Sequence, residues 1–292
     1  MARAKLKKNS RQTDARDPAV PMTLDGWHIL HQMFSIRRPQ WNVLPAAGRE
    51  AAIAEARSVL EEMERRTEGQ SAVFSLLGHK GDLMVLHFRR TLEELNGAEL
   101  RLANLKLSEY LEATTSYLSV LELGLYQATE RLHGEFKDKG LQPGTPEWSR
   151  AVEAALDEQR KAQAPRLWPP VPPRRHVCFY PMGRKRGESY NWYLVPMKER
   201  QRMLHDHGMI GRRYAGKITQ IISGSMGFDD WEWGVDLFAD DPLEFKKIVY
   251  EMRFDEASAV YALFGPFYVG LRFNAAALAD LFDGKTPSFS NG

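Results

Sequence analysis

The hydrophobic pattern along the chain switches between the alternation typical of strands and the spacing typical of helices. The same order of predicted elements occurs twice. In the first half, apolar alternation predicts strands over residues 26–34, 71–79, 82–88 and 116–123, and helical spacing predicts helices over 46–66 and 91–111. In the second half, the same criteria predict strands over 176–183, 218–227, 230–239 and 266–273, and helices over 197–214 and 242–264. Each half therefore has the order β-α-β-β-α-β, and we predict an α+β fold with two ferredoxin-like units per chain.

A proline-rich segment separates the two halves. Thr145 is placed as a helix N-cap with Pro146 at the first helical position, which predicts a solvated helix. Five prolines from Pro165 to Pro173 then predict an extended linker, because proline fixes φ and lacks the N–H that a helix uses. We predict four segments: a disordered basic tail (1–22), an N-terminal ferredoxin-like domain (23–126), a helical insertion with the linker (127–173), and a C-terminal ferredoxin-like domain (174–292).

Composition narrows the class of protein. The 292 residues are 43% hydrophobic, which is enough for a sizeable core. Forty Lys and Arg against 38 Asp and Glu leave a net charge of +2, too balanced to predict nucleic acid or an anionic membrane as the main partner. A single cysteine, Cys178, excludes an internal disulfide framework and favours a reducing compartment. Because no apolar run has the length of a membrane span and the first residues do not resemble a secretory signal, we expect a cytoplasmic protein.

The stretch "MLHDHGMIGRRY" holds the most informative candidate residue. If residues 197–214 are helical, Met203, His207, Ile210 and Tyr214 share one face, whereas His205 points about 200° away from His207. The two histidines are therefore unsuited to chelating one metal, and only His207 is predicted to face the protein interior. Spacing alone does not distinguish a metal ligand from an ordinary core histidine.

Other polar residues are individually ambiguous. Gln220 interrupts an apolar strand, where an amide is either exposed to solvent or satisfied within a pocket. Tyr180 ends a strand just before the cationic run Arg184, Lys185 and Arg186, which suits either carboxylate binding or a solvated loop. The sequence has no glycine-rich phosphate loop, no HExxH motif and no evident Ser-His-Asp arrangement.

Longer stretches resemble a known family. The segments "CFYPMGRKR", "NWYLVP" and "HGMIGRRYAGKITQIISGSMGFDDWEWGVDLFADDPLEFKKIVYEMRFDEASAVYALFGPFYVG", with the earlier "TLDGWHILHQM", resemble the coproheme decarboxylases of the chlorite dismutase superfamily. The resemblance is dense over 176–270 and looser over 23–126. It implies a fold of the dimeric α/β-barrel type and a ring-shaped homopentamer. We expect neighbouring subunits to cover apolar surface such as that of "DWEWGVDLF".

The resemblance also implies an activity. Such enzymes use hydrogen peroxide to convert two propionates of Fe-coproporphyrin III (coproheme) to vinyl groups with loss of CO2, which gives haem b. The porphyrin is then both substrate and redox centre, and coproheme and peroxide are the implied small-molecule partners. Transient contact with the coproporphyrin ferrochelatase is implied as well.

Site residues are carried over position by position. The resemblance implies His207 as the proximal iron ligand, Gln220 as a distal-side residue, and Tyr180 as the redox-active residue beside a propionate. The implied propionate anchors are Arg166, Arg184, Lys185, Arg253 and Ser258. Many relatives have a lysine four residues after the tyrosine, whereas Arg184 stands there in this chain and Lys185 follows. Because arginine does not release its proton, either residue is a candidate to assist Tyr180.

Alternative functions remain open from the sequence. One is a haem-binding or haem-sensing protein of the same superfamily without decarboxylase activity, and another is a structural ferredoxin-like oligomer without a cofactor. Chlorite dismutation is disfavoured, because chlorite-degrading relatives carry an arginine at the distal position where this chain has Gln220. If Tyr180 only packs, the next candidates for a radical are Tyr190, Trp192 and Tyr193.

Overall fold

An antiparallel sheet organises the part of the chain that this computed structural model describes, residues 20–290. Residues 1–19, which hold most of the predicted basic tail, and residues 291–292 lie outside the described residues. The strands are β1 (Thr23–Ile36), β2 (Ser71–Leu77), β3 (Leu83–Arg89), β4 (Leu111–Gly124), β5 (His176–Arg184), β6 (Ile218–Gly224), β7 (Trp233–Ala239), β8 (Ala262–Phe264) and β9 (Tyr268–Phe273). The helices are α1 (Arg38–Val43), α2 (Ala46–Glu64), α3 (Leu92–Ala103), α4 (Tyr126–Asp138), α5 (Pro146–Leu167), α6 (Met197–Arg212), α7 (Leu243–Met252), α8 (Glu256–Tyr261) and α9 (Leu278–Phe282).

The strand pairings close into a ring. Neighbours follow the order β7-β6-β4-β1-β3-β2-β9-β5, and β5 pairs again with β7. The strands of the first half are contiguous as β4-β1-β3-β2, and those of the second half as β9-β5-β7-β6. The β2–β9 and β4–β6 pairings join the halves, and the short β8 pairs with the end of β5. The strands predicted from apolar alternation are thus present, with β1 and β4 longer than predicted.

Three of the apolar clusters in the described residues lie against the sheet. One fills the inside of the ring, with Ile29, Phe74 and Phe179 among its buried members. A second lies under α2 and α9, and a third lies between the second-half strands and the helices α6 and α7. Inside the ring, His31 of β1 and Asp236 of β7 form a fully buried pair at 2.9 Å, which ties the two halves across the interior. No helix within residues 20–290 combines the length and apolar character needed to cross a bilayer.

Strand β7 does not offer the apolar surface that we expected neighbouring subunits to cover. Within "DWEWGVDLF", the residues from Gly234 onward are buried by their own chain. Val235 and Leu237 face the cluster under α6 and α7, whereas Phe238 faces the ring interior. That expectation was wrong because β7 is a central strand with β5 and β6 on its two sides.

The predicted linker begins later than its prolines suggested. Thr145 caps α5 as predicted by accepting a hydrogen bond from the Trp148 N–H at 3.2 Å, but the helix continues through Pro165 to Leu167. Proline in the last turn removes one hydrogen bond, and the burial of Leu167 in the ring interior compensates for it. The same turn approaches β1 so closely that a Cβ added at Gly26 would stand 2.1 Å from the Leu167 carbonyl oxygen.

The helix predicted over 242–264 is interrupted. α7 ends at Met252 and α8 begins at Glu256, and residues 262–264 form β8. Asp255 lies between the helices with extended backbone (φ −79°, ψ 149°) and accepts a hydrogen bond from the Ser258 N–H. The continuous apolar pattern concealed this break, because an N-cap aspartate starts a new helix without disturbing the periodicity.

We expect His87 to make folding stability depend on pH. Its Nδ1 lies 2.8 Å from the Ser71 hydroxyl, which also accepts from Arg89, and burial together with the charges of Arg89 and His31 lowers the pKa of His87 from 6.5 to about 3. The unfolded chain therefore binds a proton between these pH values that the folded chain does not bind, so stability is lost as the pH falls below 6.5. The free energy of unfolding should be about 2 kcal/mol lower at pH 5 than at pH 8 from this residue alone.

Urea unfolding of the wild type and of His87→Gln at both pH values measures this contribution. The glutamine amide retains an acceptor for Ser71 but does not titrate, so the pH dependence of the variant should be smaller by that amount. Equal pH dependence in the two proteins would contradict the prediction.

Candidate functional site

Helix α6 presents His207 as its spacing predicts. Met203 and Tyr214 are buried, His207 and Ile210 are partly buried, and His205 is exposed. Ile210 and Tyr214 pack against the sheet in the cluster under α6 and α7. His207 therefore lies on the face of α6 that is directed at the sheet, with about a quarter of its side chain exposed, 26%.

A carboxylate orients the His207 ring. The ring Nδ1 lies 2.9 Å from Asp255 Oδ2 and 3.4 Å from the Ser258 hydroxyl, and the Ser258 N–H donates to Asp255 Oδ1 at 3.0 Å. Burial acts to raise the pKa of Asp255, but the hydrogen bond and charge of His207 and the hydrogen bonds of Ser258 outweigh it and lower that pKa. With Nδ1 engaged by an ionised carboxylate, Nε2 is the ring atom suited to ligate a metal, as in carboxylate–histidine–metal arrangements.

Asp255 is not among the site residues predicted from the sequence. Its partner His207 lies 48 residues earlier in the chain, so their contact depends on the packing of α8 against α6. A local signal was present in the spacing Asp255-x-x-Ser258, which is typical of an N-cap aspartate. The continuous helix predicted over 242–264 hid that signal.

Tyr180 lies on β5 in an aromatic environment. Its side chain is buried, and its ring stacks on Phe267 with 4.5 Å between centroids and lies 5.9 Å from Phe264. Burial, reinforced by Cys178 and opposed by the charge of Arg253, raises the pKa of the Tyr180 phenol above its ordinary value. The phenol therefore keeps its proton at neutral pH.

Arg253 reaches the same aromatic group from the C-terminal end of α7. It is exposed, and its guanidinium carbon lies 3.8 Å from the centre of the Phe264 ring. Because Tyr180 also packs on Phe264, the phenol and this exposed cation are neighbours. A carboxylate held by Arg253 would stand close to Tyr180.

The two cations after Tyr180 differ in position. Strand alternation places Arg184, the last residue of β5, on the same face as Tyr180, and Lys185 follows after the end of the strand. The Arg184 side chain is buried and donates through Nη1 to the Ala257 carbonyl at 2.6 Å, next to Ser258 in sequence. The Lys185 ammonium lies 5.9 Å from the centre of the Tyr190 ring.

Gln220 lies on the face of the sheet that carries Tyr180. Ile222 of β6 pairs with Val235 of β7, and Val235 pairs with Tyr180 of β5, so these three side chains share one face. Gln220, two residues before Ile222, points the same way. Two strand spacings and two residues of strand length put the Gln220 and Tyr180 Cα atoms on the order of 12 Å apart.

Part of this sheet face is not covered by helices. Gln220 is exposed, and Ile222 is 41% exposed although its neighbour Val235 is buried. The uncovered part of this face is apolar apart from one amide, and a carboxylate-oriented histidine and a neutral phenol lie beside it. Such a surface suits a flat aromatic ligand whose iron atom binds His207. The residues present therefore fit a haem-type group.

Arg166 is not part of this group. It lies in the last turn of α5 instead of the linker, is exposed, and donates to Gln163 at 3.2 Å. Helix α5 packs mainly on α4, β1 and β4. The structure thus brings together His207, Ser258, Tyr180, Arg253, Arg184 and Gln220 around α6, α8 and one sheet face, and it leaves Arg166 and Lys185 apart.

The chain is similar to known proteins along most of its length. The family model described as chlorite dismutase matches residues 49–273, most of the chain. The chain belongs to the chlorite dismutase family. Its mixed α+β architecture with an antiparallel sheet is the one that structures of this family share.

Individual members of the chlorite dismutase family are similar over most of the chain. A coproheme decarboxylase of Staphylococcus saprophyticus is 41% identical over 91% of this chain and 99% of that protein. A candidate haem-binding protein of Natronomonas pharaonis is 43% identical over 90% of this chain, which spans only 42% of that longer protein. The solved structure of a haem-binding protein from Thermus thermophilus superimposes with a TM-score of 0.77, at 40% identity over 91% of this chain and 98% of that one.

Proposed function

We propose that this chlorite dismutase family protein is a coproheme decarboxylase, an oxidoreductase that makes haem b from Fe-coproporphyrin III with hydrogen peroxide. The observation that carries the proposal is the pairing of the Asp255-oriented His207 with a sheet face that holds a buried, protonated Tyr180. Relatives named coproheme decarboxylase, similar along nearly their whole length, support it.

The proposed reaction balances for each propionate. A propionate R–CH2–CH2–COO⁻ loses two electrons and one proton to give R–CH=CH2 and CO2, while H2O2 takes up two electrons and two protons to give two waters. When bound, the porphyrin iron supplies the oxidising equivalents from peroxide. The side chains orient the porphyrin, hold its carboxylates and transfer one hydrogen.

Tyr180 is the proposed hydrogen acceptor. Oxidation of its phenol releases the O–H proton, and the resulting radical takes a hydrogen atom from the β-carbon of the adjacent propionate, which restores the phenol. Loss of a second electron from the propionate radical then breaks the bond to the carboxylate, releases CO2 and leaves the vinyl group. Burial suits this role, because the phenol stays protonated at rest and bulk water is kept from its ring. Since hydrogen transfer requires near-contact distances, a propionate displaced by about 1 Å would be out of reach.

The cations are the proposed propionate anchors. Arg253 is the best placed of them, because its exposed guanidinium lies over the Phe264 ring, against which Tyr180 also packs. Arg184 lies on the same face of β5 as Tyr180, but it already donates to the Ala257 carbonyl. Its proposed role is therefore to position α8 beside the coproheme site as well as to contribute positive charge. Ser258 lies against the His207 ring, and its hydroxyl is proposed to hydrogen-bond both to that ring and to a propionate. Arg166 and Lys185 remain proposed anchors by resemblance.

Gln220 distinguishes the proposed activity from chlorite dismutation. Its amide is neutral and exposed on the sheet face against which α6 packs, and it can donate a hydrogen bond to a ligand on the distal side without an arginine's charge. A neutral donor gives less acid–base assistance to peroxidase-type side reactions than a histidine would. A haem-binding protein without decarboxylase activity is the second candidate, favoured by the names of other relatives.

Mass spectrometry of the porphyrin tests the function directly. Stepwise addition of hydrogen peroxide to the coproheme-loaded protein should produce the three-propionate intermediate and then haem b. A Soret shift on coproheme binding, with unchanged porphyrin mass after peroxide, would show a binding protein instead. Haem loading without any coproheme affinity would refute both the substrate and the reaction.

We also propose the finer architecture and setting. In both halves the strand order, numbered within the half, is 4-1-3-2, which supports two ferredoxin-like units (23–126 and 174–292) joined by 127–173 in a barrel of the dimeric α/β type. The proposed location is the cytoplasm, with transient contact with the coproporphyrin ferrochelatase.

A homopentamer is the proposed assembly. Exposed apolar side chains other than those of β7 are available for it, among them Leu243, Tyr250 and Phe254 around α7. Light scattering at micromolar concentration should therefore give about five times the chain mass of 33.4 kDa. A stable 33.4 kDa monomer would contradict the assembly.

A further inference from the structure

Cleavage of hydrogen peroxide calls for an acid–base group on the sheet face that is proposed to bind the porphyrin. One peroxide oxygen must lose a proton and the other must gain one as the O–O bond breaks and water is released. Gln220 has no titratable group, and burial keeps the Tyr180 phenol protonated. A residue that holds and releases a proton is therefore expected elsewhere on this face.

Strand β4 places Glu122 on the same face. Val120 of β4 pairs with Gly224 of β6, and Gly224 pairs with Trp233 of β7. Gly224 is four residues after Gln220 on β6, so strand alternation puts this row of side chains on the face that carries Gln220. Glu122 is two residues after Val120 and points the same way.

The carboxyl group of Glu122 occupies space that a glycine leaves open. A Cβ added at Gly224 would stand 2.8 Å from Glu122 Oε2 and 3.2 Å from its carboxyl carbon. The indole N–H of Trp233 donates to the same carboxyl group. The carboxyl thus lies over β6 next to the exposed Ile222, and the Glu122 side chain is only partly buried, so a small molecule on the uncovered part of the face can reach it.

The surroundings of Glu122 favour its protonated form. Burial raises the pKa of Glu122, the indole hydrogen bond acts against this, and the negative charge of Asp25, its cross-strand neighbour on β1, raises the pKa further. Tyr126, at the start of α4, also faces this carboxyl, and the charges of Arg184 and Arg200 act on Tyr126. Glu122 therefore keeps its proton to a higher pH than an ordinary glutamate, as suits an acid–base catalyst.

We propose that Glu122 is the acid–base residue that moves the peroxide proton. Its carboxylate takes a proton from one oxygen of H2O2 and returns it to the other oxygen as the O–O bond breaks. The electron pair of that bond leaves with the second oxygen, which departs as water, and the oxidising equivalents pass to the porphyrin as in the reaction proposed above. Glu122 ends unchanged. This role rests on the proposed function, which supplies the porphyrin and the peroxide.

Infrared difference spectra of the porphyrin-free protein test the proton on Glu122. Raising the pH through the pKa of Glu122 should remove the C=O stretching band of a protonated carboxyl group, and Glu122→Gln should lack that band while keeping an acceptor for the indole N–H. In Asp25→Asn the band should disappear at lower pH, because the Asp25 charge is one cause of the raised pKa. Glu112→Gln is the matched control, since Glu112 is exposed at the other end of the same strand, and it should keep the band.

Hydrogen cyanide tests the proton transfer without turnover, because it must lose its proton to bind the iron. In stopped-flow experiments on the ferric coproheme and haem b complexes, cyanide should bind Glu122→Gln at least about 100-fold more slowly than the wild type. The rate for Glu112→Gln should stay within about twofold of the wild type.

The pH dependence separates a proton acceptor from a residue that only shapes the site. The wild-type rate of cyanide binding should fall as the pH is lowered through the pKa of Glu122, because only the ionised carboxylate accepts a proton. Glu122→Gln should not show this fall. Asp25→Asn should bind cyanide faster than the wild type at low pH, since its Glu122 stays ionised to lower pH.

Equal cyanide binding rates in the wild type and Glu122→Gln would overturn the inference, and so would the absence of a protonated carboxyl band that depends on Glu122. Either result, with normal haem b formation by the wild type, would leave the decarboxylase reaction standing. Slow cyanide binding in Glu122→Gln, with no haem b formed by the wild type, would instead refute that reaction and support the role of Glu122.

Discussion

Replacing His207 by alanine is expected to remove the protein ligand from the porphyrin iron. In resonance Raman spectra of the ferrous coproheme complex, the iron–histidine stretching band should disappear in His207→Ala and return, at a shifted frequency, when imidazole is added. The physical reason is that His207 is the α6 histidine directed at the sheet, with its Nδ1 held by Asp255 and its Nε2 available to the iron. Haem b formation should stop without imidazole.

His205→Ala is the matched control, since it removes a histidine from the same helix that is exposed on the other face. Its spectrum and its activity should equal those of the wild type. Loss of the band in His205→Ala with its retention in His207→Ala would overturn the assignment.

Asp255→Asn separates orientation from ligation. The amide keeps the shape of the side chain and a hydrogen bond to the ring, but it removes the negative charge that makes the bound imidazole electron-rich. We expect the iron–histidine band to move to lower frequency without disappearing, and coproheme affinity to fall roughly ten- to hundredfold. An unchanged frequency would show that the Asp255 carboxylate does not act on the ligand.

Tyr180→Phe is expected to halt the chemistry while the protein still folds and binds coproheme. The substitution removes one oxygen and little volume from a buried, stacked ring, so stability and coproheme affinity should each change by no more than about 1–2 kcal/mol. Phenylalanine has no O–H to oxidise. We expect the first decarboxylation itself to fail, so that coproheme is recovered unchanged. Haem b formation should slow by at least about 100-fold, as for a group used only in the transition state.

The measurement is porphyrin mass spectrometry after stepwise peroxide addition to the wild type and the variant. Tyr190→Phe is the control, because Tyr190 is an exposed tyrosine on the loop after β5. If Tyr180→Phe made haem b at the wild-type rate, Tyr180 would be a packing residue and the radical would arise elsewhere. Tyr190, Trp192 and Tyr193 would then be tested in turn.

The spacing of hydrophobic and polar residues in the sequence predicted much of the fold of this protein. Alternation and helical spacing predicted the order of the main strands and most of the helices, because each element must bury one side. The same spacing placed His207 on the inward face of α6 and His205 outside, and Thr145 identified the start of α5 through its cap. Resemblance then carried the interpretation to coproheme chemistry, which spacing alone could not do.

Contacts between distant segments were decided by the tertiary structure. The Asp255–His207 hydrogen bond, the meeting of Tyr180 and Arg253 at Phe264, and the closure of the ring through β5 and β7 all join segments far apart in the chain. Pro165 stayed helical because burial of Leu167 outweighed one lost hydrogen bond, and β7 became a central strand because both its edges found partners. Periodicity describes which side of an element is apolar, whereas the partner that covers that side is chosen by the whole fold.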